Sequence, residues 1–385
     1  MIPKRVPLAC SVGLMLLTVA CADGSNASTS ASSASDQSSR PTTTTTTSRV
    51  DPMTGAGPGV NVYAHTGVGM LSPSVLGVPT RVYVPNSLSN SVDVIDPTTF
   101  RVVDRYQVST TPQHVVPSYD LNTLYVTNNR GNSLTPIDPR TGRPGFAFRV
   151  DDPYNLYFTP DGTRAIVMAE RNSRVDFRDP KTFALLKSVP IAHAGVNHAD
   201  FTPNGKVMLA SCEFSGWIVR IDLTSMTVTG ELKVGGMPVD VKSSPDGTKM
   251  YVANQGRNGV SIVDPVSMRE TGFIPTGRGA HGMYASRDGT RLYVTNRLAG
   301  SISVIDFATN AVVATWPIGG TPDMGGVSAD GTQFWVSGRY SNGVYVIDTA
   351  SGRLLATIPV GNGPHGLALF PQPGRFSMGH TGNYR

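Results

Sequence analysis

Apolar and polar residues alternate in short bursts along most of this chain. In SISVID (301–306) the alternation has a period of two, as expected of a strand with one buried face. RLYVTN (291–296) precedes it and AVVATW (311–316) follows it. The gaps hold DGT, LAG and ATN, which are rich in turn-forming residues. The same succession recurs along the chain. The third residue of RLYVTN is matched by Tyr83, Tyr125, Ile166, Leu209, Tyr251, Tyr293 and Trp335, at steps of 42, 41, 43, 42, 42 and 42. An Asp follows each by 13 residues: Asp96, Asp138, Asp179, Asp222, Asp264, Asp306 and Asp348. Such regularity marks an internal repeat.

Four strand-like pieces per unit, repeated seven times, predict an all-β protein: a seven-bladed β-propeller with four-stranded antiparallel blades. An innermost strand before each DGT-type turn would start near His114, Asn155, His198, Asp240, Gly282, Met324 and Gly366. The first unit begins one strand late, at RVYVPN (81–86). GLALF (366–370) is therefore expected to pair with it and close the ring. GVGMLSP (67–73) also reads as an innermost strand, either added at an edge or competing for the closing position. The seven Asp residues fit turn-capping roles, in which the side chain accepts backbone N–H bonds.

YVPN, YVTN, YVAN and YVTN (83–86, 125–128, 251–254, 293–296) resemble the signature of the YVTN-repeat, or YncE-like, seven-bladed propellers. The resemblance covers about residues 80–370 and implies the fold. It leaves function open, because one propeller architecture hosts enzymes, binding modules and surface-layer proteins.

A second set of repeat positions carries the candidate chemistry. Eight residues before each DGT-type turn Asp, or its equivalent, stand Pro112, Pro153, Val196, Pro238, Ala280, Pro322 and Pro364. One or two residues further on come His114, Asn155, His198, Asp240, His281, Asp323 and His365. Four of the seven histidines fall among these fourteen positions, where random placement would put about 0.25. All would project near one mouth of the central channel, where His, Asp and Asn suit metal binding or proton transfer. Arg130, Arg171, Arg257, Arg297 and Arg339, on loops of the same face, would add donors for carboxylate or phosphate. The registers differ, however. His114 and His198 lie two residues after the slot and His281 and His365 one, so strict alternation would send the two pairs to opposite sides. A divalent metal is the cofactor that His114, His198, His281 and His365 would hold. In the fourth unit, Cys212 replaces the signature Asn and is followed by Glu213, and His198 belongs to the same unit. A Cys/His nucleophile is one reading, and a small apolar filler the plainer one. His65, His193 and His380 have no place in the repeat.

Composition adds a setting. Charged residues are 15% and the formal charge is +5, or about +3 without Lys4 and Arg5, too mild to argue for nucleic acid. Lys4 and Arg5 precede an apolar run too short to span a membrane, ending in TVAC (18–21). This resembles a bacterial lipobox and implies a signal peptide (1–20) and lipidation of Cys21, with an ordinary secretory signal as the alternative. Nine Ser and seven Thr in 22–48 make 21–59 a flexible tether, with an r.m.s. span of roughly 30 Å for the Ser/Thr-rich part. A lead-in (60–80), the propeller (81–370) and a C-terminal tail (371–385) complete the expected organisation. With Cys212 alone in the mature domain, no disulfide framework is available.

No GxSxG, P-loop, HExxH or CxxCH sequence occurs, and no complete catalytic set is legible. The leading expectation is therefore an extracytoplasmic, lipid-anchored binding module. It would be a monomer that recognises a small anionic ligand, a cell-envelope component or a protein at the channel mouth. One alternative is a metal-assisted hydrolase or lyase, since streptogramin lyases and propeller lactonases resemble it in their hub-side polar residues. Another is a purely structural envelope protein.

Overall fold

Each repeat folds into one antiparallel sheet of four strands, and seven such sheets are arranged as the blades of a propeller. The computed structural model describes residues 50–380 and 383–385. The expected signal peptide, the lipidated Cys21 and the Ser/Thr-rich tether up to residue 49 lie outside the described residues. Strands are numbered β1–β28 in chain order. Blade 1 is β1 (Arg81–Asn86), β2 (Ser91–Asp96) and β3 (Arg101–Gln107), completed on the inside by β28 (Ala368–Phe370). The pairs Arg81–Phe370, Val82–Leu369 and Tyr83–Ala368 close the ring. GVGMLSP forms no blade strand. Leu71 only bridges Pro373 and Gly374, and Pro73–Val75 is a short 3-10 turn.

Burial follows position in the blade. The three inner strands are almost wholly buried, whereas outer strands such as β23 (Ala311–Pro317) alternate exposed and half-buried residues. The outer strand has one face on its neighbours and one edge in water, so only there does the period-two pattern survive as partial exposure. The aromatic residues of the signature fill the wedges between blades. Tyr83, Tyr251 and Trp335 are fully buried, and Tyr157 and Phe177 of blade 3 pack with Phe201 and Met208 of blade 4. Each such side chain contributes about 1.5–3 kcal/mol of burial.

The polar letters of the signature have separate tasks. Asn86, Asn128 and Asn296 end their strands and donate to Ser or Thr hydroxyls on the next one. The seven repeat Asp cap the turns after the third strand; Asp96, for example, accepts from Thr98 N at 2.8 Å and Asp222 from Ser225 N at 2.7 Å. The hydroxyl before the Asn reaches across the hub. Thr127 Oγ1 accepts from His114 N at 3.0 Å and donates to the Tyr154 carbonyl of the next blade at 3.0 Å. Thr295 does the same with Gly282 N and Asp323 O, and Ser211 donates to Val239 O.

That bridge coincides with a β-bulge. Pro112 pairs with Asn128 but Val115 with Val126, so the inner strand β4 (Pro112–Pro117) carries one extra residue. The same step occurs at Val196/Ala199, Pro238/Val241, Ala280/Met283 and Pro322/Gly325. These strands start at the slot residue itself, except for β8 (Asn155–Phe158), which starts two after it, and β28, which starts later.

Both chain ends of the propeller region lie along the face of the DGT-type turns. The lead-in is held there by Val62 N on Pro245 O and by Tyr63 OH on Ser243 O. The C-terminal tail turns inward. Phe158 N donates to Met378 O, His380 N to Leu156 O, and Asn383 Nδ2 to Ala199 O. Gly379 has φ +95, and a Cβ there would lie 2.3 Å from Leu156 O, so the close approach requires glycine. His380 thereby reaches the hub, while Phe376 stays on Tyr119 at the DGT-type turns.

Candidate ligand site at the propeller hub

The bulge re-aims the slot residues. With one extra residue in the inner strand, positions one and two after the slot no longer diverge. His114, His198, His281 and His365 therefore meet, against the expectation from alternation. Ring centroids are 4.8 Å apart for His114–His365, 5.5 Å for His114–His198, 6.1 Å for His281–His365 and 6.4 Å for His198–His281. Gly366 allows this packing, because a Cβ there would lie 2.0 Å from His114 Cδ2. A fifth ring, His380 from the tail, sits 5.1 Å from His114 and 4.8 Å from His198. All five are buried.

The cluster has two halves. In one, Asp323 is the centre. It accepts from Arg297 Nε at 2.9 Å and from Arg297 Nη2, and His365 Nδ1 donates to it at 2.6 Å. His281 Nδ1 lies 3.0 Å from Asp323 Oδ1, off the line of a good hydrogen bond, while its Nε2 accepts from Arg297 Nη2. His365 Nε2 takes the Tyr154 hydroxyl at 3.2 Å. Burial would raise the Asp323 carboxyl, but Arg297, His281 and His365 overcome it and hold it well below the usual carboxylate range. Burial, then the Arg297 charge, keeps His281 neutral, and burial with the Arg339 charge brings His365 down to about 4. This half is thus one ion pair with neutral imidazoles around it, and the Nε2 acceptors of His281 and His365 are taken by Arg297 and Tyr154. The expectation that His281 and His365 serve as metal ligands meets this obstacle.

The other half is different. His114 Nδ1 faces the Tyr154 carbonyl at 2.9 Å. A carbonyl only accepts, so Nδ1 carries the proton and Nε2 presents a bare lone pair. His198 Nδ1 faces Asn197 Oδ1 at 2.9 Å. The Asn197 amide is held in this orientation by its Nδ2, which donates to Glu213 at 2.6 Å and to Glu170 at 3.3 Å. His198 Nε2 is therefore also a bare acceptor. Neither Nε2 has a partner among the described residues, although both are buried. Burial and the neighbouring imidazoles hold both rings far below the ordinary histidine range. One ring nitrogen from each of His114, His198 and His380 lies within 4.8 Å of the others. Asn155 Nδ2 is 3.1 Å from His380 Nδ1, and Asp240 Oδ1 is 3.6 Å from His380 Nε2.

The arginines divide. Arg297 bonds directly into the cluster, whereas Arg339 donates to the Gly363 carbonyl at 3.3 Å and acts on His365 and His114 only through its charge. Arg171 is tied to Asp152 and to Asn129 O, and Arg257 to Glu270 and the Phe273 ring, while Arg130 is exposed. The structure does not bring these three to the hub. Cys212 packs into the apolar core between blades 3 and 4, and burial pushes its thiol up to about 12. Glu213, by contrast, does connect to His198 through Asn197. Two grooves, of about 760 and 520 Å³, open at the DGT-type turns and not at the expected mouth.

Tyr154, Asn197, Glu170 and His380 escape sequence reasoning. Tyr154 and Asn197 occupy the first position after the slot in units where the second position drew attention. Glu170 lies four residues after Ile166, the position that Glu213, Arg297 and Arg339 hold in their own units, so the repeat carried its signal, whereas His380 lies beyond the last repeat.

Comparison with known proteins agrees with the fold and with the signature. The sequence model of the YncE-like β-propeller family matches residues 53–373. The chain belongs to the YncE-like β-propeller family. The match begins well before the first blade and so takes in most of the strap formed by the lead-in. Solved structures similar to this family member include Kuenenia stuttgartiensis hydrazine synthase, with 21% identity over 74% of this chain and 97% of that one, at a TM-score of 0.64. A functionally unknown protein from Desulfotomaculum acetoxidans DSM 771 has 17% identity over 75% and 98%, at 0.66. Dihydro-haem d1 dehydrogenase NirN, in complex with DHE, has 16% over 76% and 75%, at 0.58. At these identities the likeness is one of fold. No curated protein matches the chain.

Proposed function

We propose that this YncE-like propeller is an extracytoplasmic, lipid-anchored binding module that holds its ligand at the hub. The observation that carries this reading is the pair of buried, unpartnered acceptors on His114 and His198. Leaving a buried polar group unsatisfied costs about 1–3 kcal/mol. A ring serving only as scaffold gains nothing from that cost, and an apolar side chain of similar volume would avoid it. The two atoms are lone pairs, so the species they accept is a Lewis acid or a hydrogen-bond donor. The Arg297 charge is already spent on Asp323, which makes an anion the weaker candidate at this point. The basic, then apolar N-terminus ending in Cys21 supports anchorage, and the Ser/Thr-rich stretch supports a spacer between anchor and propeller.

Calorimetric titration of the full chain with Zn²⁺, ammonium, N-acetylglucosamine, acetate and phosphate tests the reading. We expect at least one probe to bind with unit stoichiometry, and the H114L/H198L variant to lose that response without a lower melting temperature. Equal responses of both proteins to every probe would reduce the molecule to an anchored scaffold.

A further inference from the structure

We infer that the hub of this propeller is a transition-metal site formed by His114, His198 and His380, in which the last ligand is delivered by the C-terminal tail. The inference rests on the binding reading above and names its ligand class. Three neutral imidazoles suit a borderline ion such as Zn²⁺, Cu²⁺ or Ni²⁺. Calcium and magnesium prefer oxygen ligands, and no carboxylate joins the three nitrogens within 4.8 Å.

Two features favour a metal over a hydrogen-bond donor. The first is tautomer control. Histidines that bind metal normally donate their other nitrogen to a carbonyl or an acidic group. His114 does so to the Tyr154 carbonyl, itself fixed by Thr127. His198 does so to Asn197, itself fixed by Glu213 and Glu170. The second is number: three rings converge from three separate segments, two inner strands and the tail. A single donor hydrogen satisfies one lone pair, whereas an ion takes those of His114 and His198 together, and His380 exchanges its contact with Asn155 or Asp240 for the ion.

The geometry also sets a cost. Nitrogens around a tetrahedral ion at ~2.1 Å stand ~3.4 Å apart. The widest pair here is up to 4.8 Å apart, so the rings draw together on binding. His114 and His198 are carried by bulged strands inside a closed ring. His380 is carried by a terminal segment held through a few backbone bonds, so the tail is the part that moves.

The test uses the full chain, stripped with chelator and titrated with Co²⁺ and Zn²⁺. We expect one equivalent of Co²⁺ to give the visible absorption of a low-coordinate nitrogen site. Zinc-edge X-ray absorption should count three imidazoles. Affinity should fall at least a hundredfold in H114L, H198L and H380L and change less than threefold in H193A, a histidine on the outside of blade 4 stacked on Trp217. Near-ultraviolet circular dichroism establishes that each variant is folded. H114Q, which keeps volume and polarity but not the imidazole, separates loss of a ligand from loss of packing and should behave as H114L. Binding that survives in H114L and H198L, or that H193A removes, would overturn the site. So would binding of an organic probe or ammonium in place of every metal tested, which would leave the broader binding reading intact. Refusal of all probes alike would overturn both.

Discussion

Glu170 and Glu213 share the amide of one Asn197 in a nearly dry pocket beside the histidines. Burial, and next the charge of Glu213, raise Glu170 from its ordinary 4.5 to about 8. Its folded form thus holds a proton that the unfolded chain releases, and linkage makes stability fall as pH rises between about 4.5 and about 8. The buried neutral histidines work in the opposite sense below about 6.5, so the Glu170 contribution is read as a difference: we expect the melting temperature of the wild type relative to E170Q to decline across that window. A difference that stays constant or rises there would contradict the assignment. Asp323 is the opposite case, since Arg297 keeps it ionised. Removing either partner of such a buried pair leaves an uncompensated charge, a loss of about 3–5 kcal/mol in comparable cases. His281 from the slot set and Arg297 from the loop set are the two sides of this carboxylate's support.

At the scale of the strand, the signature hydroxyl decides where the hub residues point. Thr127 holds the bulge of β4 through His114 N and fastens it to the next blade through Tyr154 O. T127V keeps the shape and removes both bonds, leaving the buried His114 N–H unpaired and the Tyr154 carbonyl with His114 Nδ1 alone. We expect a loss of about 1–3 kcal/mol in urea unfolding; a change below about 0.5 kcal/mol would mean that the hydroxyl does not pin the bulge. Here also lies the limit of what could be read in advance. Periodic apolar bursts and evenly spaced Asp made seven blades and the closing strand legible, because each unit must bury the same wedge. The slot histidines were legible as recurring residues. Their convergence was not, because a bulge changes the side-chain direction without changing the residue count between repeats. The His380 contribution had no signal, since nothing periodic places a tail.

For the molecule as a whole, the tail and the lead-in close one end of the channel while the loops carrying Arg297, Glu170 and Glu213 border the other. Reaction with diethyl pyrocarbonate, mapped by peptide, reports this closure. In the full chain His114 and His198 should resist modification. In a chain ending at Pro373 both should react, with the blades still folded by circular dichroism. Equal protection in the two chains would show that the tail is not what shields the hub.

The pairing of β1 with β28 has a consequence for biogenesis. Blades 2 to 7 are each made of consecutive strands and can form as synthesis proceeds. The first blade waits with three strands and an unpaired edge until the final segment emerges, some 290 residues later. A prematurely ended polypeptide would keep that edge open to any passing strand, which is the hazard that unpaired sheet edges present. Completion of the circle therefore doubles as a check that synthesis has passed the seventh blade.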